Sequence, residues 1–196
     1  MITIFAAADY QYFYDHGIAF AKSCNRVGHR CLLYIFPDSQ KNFEEERKKL
    51  LLFLTKEFYP VVDNNMTEVQ LIPKTVMKTL ENSSEIFDKK ALFASVRFMF
   101  LYDVLVGEEE LNGNSVLVLD IDSVVNKKVK IPKKVDIGIF LRENQNLGSN
   151  EYEKMGMKVA AGALYVTIKA LPFIEKFSSR LIKSQKRWFC DQFILY

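Results

Sequence analysis

Two carboxylates, Asp120 and Asp122, stand two residues apart at the end of an apolar run, Val116-Leu117-Val118-Leu119, and Ser123-Val124-Val125 follows them. Side chains at i and i+2 of a strand project to the same side. If the strand ran on unbroken, the two acids would sit side by side, each raising the other's cost of ionisation. A divalent cation removes that repulsion, and hard carboxylate oxygens suit Mg²⁺ or Mn²⁺, ions that favour phosphate-bearing ligands. The plainer alternative is a pair of acids that merely solvates a strand end. Four β-rich residues in a row read as a strand buried on both faces, so the acids fall where that strand reaches the sheet edge.

The elements that must position this pair follow from periodicity and turn chemistry. Residues 2–8 form a short apolar run ending at Asp9, again a strand delivering an acid, and Tyr10, Tyr12, Phe13 and Tyr14 come next. Ile18, Phe20, Ala21 and Val27 suit a helix over 12–27 that stops at Gly28. A second strand spans 31–36, closed by Pro37-Asp38-Ser39. Residues 41–58 read as one helix ended by Pro60, its acids early and bases late, as the helix dipole favours. A third strand spans 69–72 and stops at Pro73. Ser83 or Ser84 caps a helix over about 85–106, whose Phe87, Ala91, Ala94, Phe98, Leu101, Tyr102 and Leu105 make a core-facing stripe. On it Arg97 is the lone cation after Lys90, either a snorkelling surface residue or the partner of a phosphate or of the acids downstream.

Asn112-Gly113-Asn114 turns the chain into the central strand. Beyond it, 129–132 and 135–141 read as strands, 142–156 as a polar loop, and 159–166 as a strand of small residues around Gly162, a bulge or a site of close ligand approach. Pro172 opens a helix to about Lys186, and another begins at Arg187. Strands and helices in this alternation predict an α/β fold, a mostly parallel sheet with helices on both faces, with ligand chemistry at the carboxyl ends of strands.

The 196 residues suit a single domain, 1–196, with 49% apolar and 26% charged residues, an ordinary globular composition. A net charge of +3 with scattered basic residues gives no nucleic-acid face, though it tolerates an anionic small ligand. Cys24, Cys31 and Cys190 form no C-x-x-C pair, no charged n-region precedes the first apolar run, and no apolar run reaches the ~20 residues of a membrane span, so the chain reads as cytoplasmic without a transmembrane segment. His16 reads as helix surface and His29, between Gly28 and Arg30, as a surface loop residue.

Taken in order, Ala6-Ala7-Ala8-Asp9 with Tyr12, Ala94-Ser95-Val96-Arg97-Phe98, Leu117-Val118-Leu119-Asp120-Ile121-Asp122, Ala160-Ala161-Gly162-Ala163-Leu164 and Asp191-Gln192 resemble nucleotide-sugar glycosyltransferases of the GT-A fold, in particular the glycogenin- and lipopolysaccharide-galactosyltransferase-like family. The resemblance implies a hexosyl transfer from a nucleoside-diphosphate sugar, a UDP-sugar by preference, to an acceptor hydroxyl on a glycan, lipid or protein, with retention. It implies that Ala7, Ala8 and Asp9 line the base pocket and that Tyr12 stacks on the base. Asp120 would contact the ribose, Ile121 beside it would belong to the nucleotide- or donor-binding set, and Asp120 and Asp122 would ligate Mn²⁺ or Mg²⁺. Arg97 would hold the diphosphate or donor sugar, Gly162 would lie under the sugar, and Asp191 and Gln192 would face it as the catalytic pair.

The sequence departs from the family at Ala160, where an asparagine is common, and at Phe193, where a second aspartate often follows Asp-Gln. The family's C-terminal histidine metal ligand has no counterpart before Tyr196. These departures motivate an alternative, a non-catalytic nucleotide-sugar-binding member of the same fold. A haloacid-dehalogenase-like phosphatase, with Asp120 as nucleophile, shares the strand-then-D-x-D signature, but that motif usually opens its domain, and here 119 residues precede it.

Overall fold

A computed structural model describes residues 2–37, 42–82, 89–110, 115–132, 134–141, 150–151, 154, 159–187 and 190–195. Strand β1 (Ile2–Asp9) leads into helix α1 (Tyr10–Arg26), then β2 (Arg30–Phe36), α2 (Phe43–Phe53) and β3 (Thr67–Leu71) follow. Three helices come next, α3 (Lys74–Asn82), α4 (Lys89–Met99) and α5 (Leu101–Glu110), before β4 (Ser115–Leu119), β5 (Ile137–Leu141) and β6 (Val159–Thr167). Helices α6 (Leu171–Lys183) and α7 (Cys190–Leu195) complete the described chain. The strands make one sheet in the order β3-β2-β1-β4-β6-β5. The first four run parallel, while β6 is antiparallel to both β4 and β5.

The double burial of β1 and β2 follows from the two-residue strand period. Ile4, Ala6 and Ala8 of β1 and Cys31, Leu33 and Ile35 of β2 pack with Phe13, Phe20, Ala21 and Cys24 of α1 and with Leu50 of α2. The alternate residues, Phe5, Leu32, Tyr34 and Phe36, join the opposite layer with residues of α3 to α7. No side of these strands is left for water, so their sequences are continuously apolar rather than alternating.

Two caps set the ends of α1. Asp9 accepts from the backbone N–H of Tyr12 at 2.9 Å, so the acid at the end of β1 is also the helix N-cap. At the other end Gly28, at φ +77°, donates to the Asn25 carbonyl, and His29 donates to that of Cys24, closing a Schellman turn. The turn aims His29 inward. Its ring is 2% exposed, and Nε2 accepts from the Val129 N–H at 2.9 Å, so His29 is a buried anchor rather than a surface loop residue.

Other elements differ from the sequence pattern for identifiable reasons. Pro73 stops β3 but also opens α3, its carbonyl accepting from Val76 and Met77, with Met77 and Leu80 buried. The helix read over 41–58 divides into α2 and a wider π turn, Leu54–Phe58, in which Tyr59 donates to the Leu54 carbonyl. The helix read over 85–106 is bent at Phe100 between α4 and α5, where Ser178 of α6 donates to the Phe98 carbonyl at 2.7 Å. Residues 129–132 form no strand and instead run beside His29. The expected Ser83 or Ser84 cap, the Asn112-Gly113-Asn114 turn and most of the polar loop over 142–156 lie outside the described residues. Among the described residues no helix is long and apolar enough to cross a membrane.

Candidate active site

The central strand stops at Leu119, and the backbone turns at once, with Ser123 N–H donating to the Asp120 carbonyl at 3.0 Å. Asp120 and Asp122 are therefore turn residues rather than alternate residues of an unbroken strand. Asp120 is partly exposed and Asp122 exposed, whereas Ile121 between them is buried against the α1 layer. The apolar residue pins the turn and leaves its acids at the sheet's carboxyl edge.

Two adjoining cavities open at that edge. The larger, about 570 Å³, is lined by Ala7, Ala8 and Asp9 of β1, Tyr12 of α1, Phe36, Lys90, Phe93 and the turn residues Ile121 and Asp122. The smaller, about 420 Å³, is lined by Ala91, Phe140, residues 160–163 of β6, and Asp191 and Gln192 of α7. Ala94, Arg97 and Asp120 line both. The residues singled out in the sequence thus converge from β1, α1, α4, the β4 turn, β6 and α7. Tyr12 lies on the open side of the larger cavity, its ring half exposed and 5.1 Å from that of His16.

Arg97 is buried, not a snorkelling surface residue. Its Nη1 donates to Asp120 Oδ1, and its Nη2 donates to the Ala161 carbonyl at 3.2 Å. Its carbon stem is fixed because α4 packs on β1 and α6, and the guanidinium lies 4.7 Å from the centroid of the Phe98 ring. A buried cation needs a compensating charge, which Asp120 supplies. The guanidinium Nε is buried without a hydrogen-bond partner among the described residues. Arginine's planar fork keeps further donors for an anion in either cavity.

Gly162 has a local explanation. A Cβ built there would lie 2.6 Å from Asp120 Oδ2, and the Gly162 carbonyl accepts from Asp120 N–H at 3.3 Å. The missing side chain is the space in which the Asp120 carboxylate sits. Asp191, 6% exposed, accepts from the Gln192 N–H at 2.9 Å. Burial pushes its carboxyl above the usual range, and the nearby Arg97 cation offsets part of that shift.

The turn before α7 is held by Lys186, which is fully buried and donates through Nζ to the carbonyls of Leu181, Ile182 and Ser184. It satisfies the exposed C-terminal carbonyls of α6, and its burial lowers its pKa. Sequence reading missed this cap, because a lysine at a helix end looks the same whether solvated or enclosed. In the sequence Phe140 reads only as part of a strand, and Ala94 as part of the core-facing stripe and of the family-like motif, neither with a role in the site that both line. Ala94 sits on the same helical face as Arg97 three residues on, a spacing that was available as a signal.

As a metal site, Asp120 and Asp122 are a sparse donor set. Among the described residues no group of three or more His, Cys, Asp or Glu side chains converges, and one oxygen of Asp120 is engaged by Arg97. Mg²⁺-type ions are commonly held by one or two carboxylates with the remaining oxygens from phosphates and water. The pair fits a cation of that kind when a phosphate lies in the larger cavity.

The strand order and the helices on both faces of the sheet make a GT-A-like α/β fold. Among solved structures, the galactosyltransferase LgtC in complex with donor and acceptor sugar analogues matches with a TM-score of 0.59 at 18% identity, over 100% of this chain and 69% of that one. An active-site mutant of LgtC matches with a TM-score of 0.59 at 17% identity and the same coverage. No protein-family model matches the chain. No curated protein matches it by sequence.

Proposed function

We propose that residues 1–196 form a single glycosyltransferase domain that transfers a sugar from a nucleoside-diphosphate donor, a UDP-sugar, to an acceptor hydroxyl with retention of configuration. The observation that carries this reading is the sharing of Arg97 and Asp120 by two adjoining cavities at the carboxyl edge of the sheet. A bipartite ligand with anionic charge at its middle fits that arrangement: nucleoside in the larger cavity, diphosphate at the shared wall, sugar in the smaller.

In this reading Tyr12 stacks on the base while Ala7, Ala8 and Asp9 bound its pocket, the two alanines leaving room for the ring. Asp120 and Ile121 bound the ribose. Arg97 faces the diphosphate with donors left over from its contacts to Asp120 and Ala161. Asp120 and Asp122 would hold Mn²⁺ or Mg²⁺, which when bound neutralises charge on the diphosphate. Asp191 and Gln192 orient the sugar hydroxyls, and the buried Asp191 carboxylate supports positive charge at the anomeric carbon.

As the bond from the anomeric carbon to the diphosphate oxygen breaks, its electron pair leaves on the diphosphate. The acceptor oxygen forms the new bond, and its proton passes to a diphosphate oxygen. Donors already in place at the leaving group lower the barrier because they need no rearrangement as charge develops.

Calorimetry tests the assignment. UDP with Mn²⁺ is expected to bind the wild-type chain, and Asp122→Ala is expected to abolish the Mn²⁺-dependent part of binding without unfolding the protein, since this exposed turn residue holds none of the core. Equal metal-dependent affinities for the two proteins would refute the placement of the cation.

A further inference from the structure

The smaller cavity owes its shape to a break in the pairing of β5 with β6. Ile139 faces Leu164, but the next residue, Phe140, faces Ala160, so Ala161, Gly162 and Ala163 have no partner on β5. Those three residues line the cavity, and two of their carbonyls are already used, that of Ala161 by Arg97 and that of Gly162 by the Asp120 N–H. The same break seats Phe140 directly across from Ala160, and directly opposed residues share a face of the sheet. Both line the cavity, and Phe140 is 63% exposed. Ile137, Ile139 and Leu141 of this edge strand are exposed too, but Phe140 is the member of the strand that borders the cavity.

The cavity is sharply divided in chemistry. Its side-chain polar groups are Arg97, Asp120, Asp191 and Gln192. The remaining wall is apolar, with Phe140 its largest member and the small Ala160 directly across from it. A pyranose has matching character, since its hydroxyls project around the rim while its axial C–H bonds present an apolar face to an aromatic ring. Aromatic side chains supply such contact area with little conformational entropy to lose.

We infer that Phe140, backed by Ala160, is a specificity-determining residue for the transferred sugar: its ring stacks on the C–H face of a neutral pyranose whose hydroxyls are held by Asp191 and Gln192. This rests on the nucleotide-sugar reading and deepens it. Phe140 acts on the sugar and not on the nucleoside, because it borders only the smaller cavity, which it shares with Asp120 and Arg97 but not with Tyr12 or Asp122.

The test is the ratio of affinities for a nucleotide sugar and for its nucleotide. Calorimetry in Mn²⁺ with UDP, UDP-glucose, UDP-galactose and UDP-N-acetylglucosamine identifies the sugar that the wild type favours. In Phe140→Ala the affinity for that UDP-sugar is expected to fall about three- to tenfold, the range of one aromatic contact, with UDP unchanged. Phe140→Trp, which keeps an aromatic face, is expected to restore most of the loss. Thermal unfolding of both variants should match the wild type, because the residue is exposed. An unchanged ratio of UDP-sugar to UDP affinity in Phe140→Ala would overturn the wall, whether both affinities stayed the same or fell together. A wild-type chain that bound neither UDP nor any UDP-sugar would instead overturn the nucleotide-sugar reading, and the wall with it.

Discussion

The acid pair at residues 120 and 122 was legible because two carboxylates after a buried strand have few inexpensive explanations, but their separate environments were not. Burial and partner decide those. Asp120 is bound to a buried arginine and packed against a glycine, whereas Asp122 is exposed on the turn. Gly162 gives the sharper test of this arrangement. In Gly162→Ala the new Cβ would need the space of Asp120 Oδ2, 2.6 Å away, and a carboxylate at the end of a side chain can swing aside where backbone could not. The fold is therefore expected to survive while the Arg97–Asp120 contact is lost, with nucleotide-sugar affinity falling at least tenfold, about the value of one charge-assisted hydrogen bond. Gly138→Ala on β5 is the control, since its Cβ would meet only the Tyr165 side chain, Cβ at 3.4 Å and Cδ1 at 3.8 Å, ordinary contacts. Equal nucleotide-sugar affinities in the two alanine variants would argue against the steric account. Arg97 and His29 carry the same lesson. From its neighbours His29 reads as a surface loop residue, while Arg97 reads either as a snorkelling residue or as the partner of a phosphate or of the acids downstream. Both are enclosed by elements distant in sequence, and Arg97 does meet a downstream acid, Asp120.

At the scale of elements, the strands and helices with their own start and stop signals were readable. Gly28 ended α1, Pro37 followed β2, and the small-residue strand around Gly162 is β6. What escaped was set by contacts between elements. The bend at Phe100 coincides with a hydroxyl from α6, and the register break of β5 against β6 needs both strands to be seen at once. The segment after the acid pair is another case. It is tied to α1 and its Schellman turn by Val125 N–H donating to Ser23 Oγ at 3.0 Å and by Val129 N–H donating to His29 Nε2. The second bond needs an unprotonated Nε2. Burial first, then the neighbouring Lys128 cation, lowers the His29 pKa below its ordinary 6.5, against a smaller opposing effect of the Ile2 backbone. Because the folded value is depressed, this anchor is fully present above about pH 6.5 and is lost as pH falls through the lower folded value. Hydrogen exchange should find the Val129 amide protected at pH 7.5 and progressively less so in acid. In His29→Leu that amide should exchange rapidly throughout, with a stability loss of about 1 kcal/mol near neutrality. Protection of Val129 that did not change with pH in the wild type would show that the ring does not hold the segment.

For the whole molecule, the site exists only as a product of the complete sheet. Its residues come from β1, α1, α4, the turn after β4, β6 and α7, and their order along the chain was visible while their convergence was not. A ligand that spans them binds the folded chain and not the unfolded one, so its binding free energy adds directly to stability. The proposed cation site is sparse, and that makes this linkage conditional. Two carboxylates, one of them engaged by Arg97, leave most of a divalent ion's coordination to be supplied from outside the protein, and a diphosphate is the group that supplies it. Mn²⁺ alone is thus expected to leave the melting temperature unchanged, and UDP alone to raise it only slightly. Both together at a hundred times the dissociation constant add about 2.7 kcal/mol. For a chain of this length that corresponds to a rise of roughly 5–10 °C. The non-additivity is the diagnostic quantity: a full shift with UDP in the presence of a chelator would mean that Arg97 alone balances the diphosphate, and a shift with Mn²⁺ alone would mean that the chain carries a complete metal site without the nucleotide.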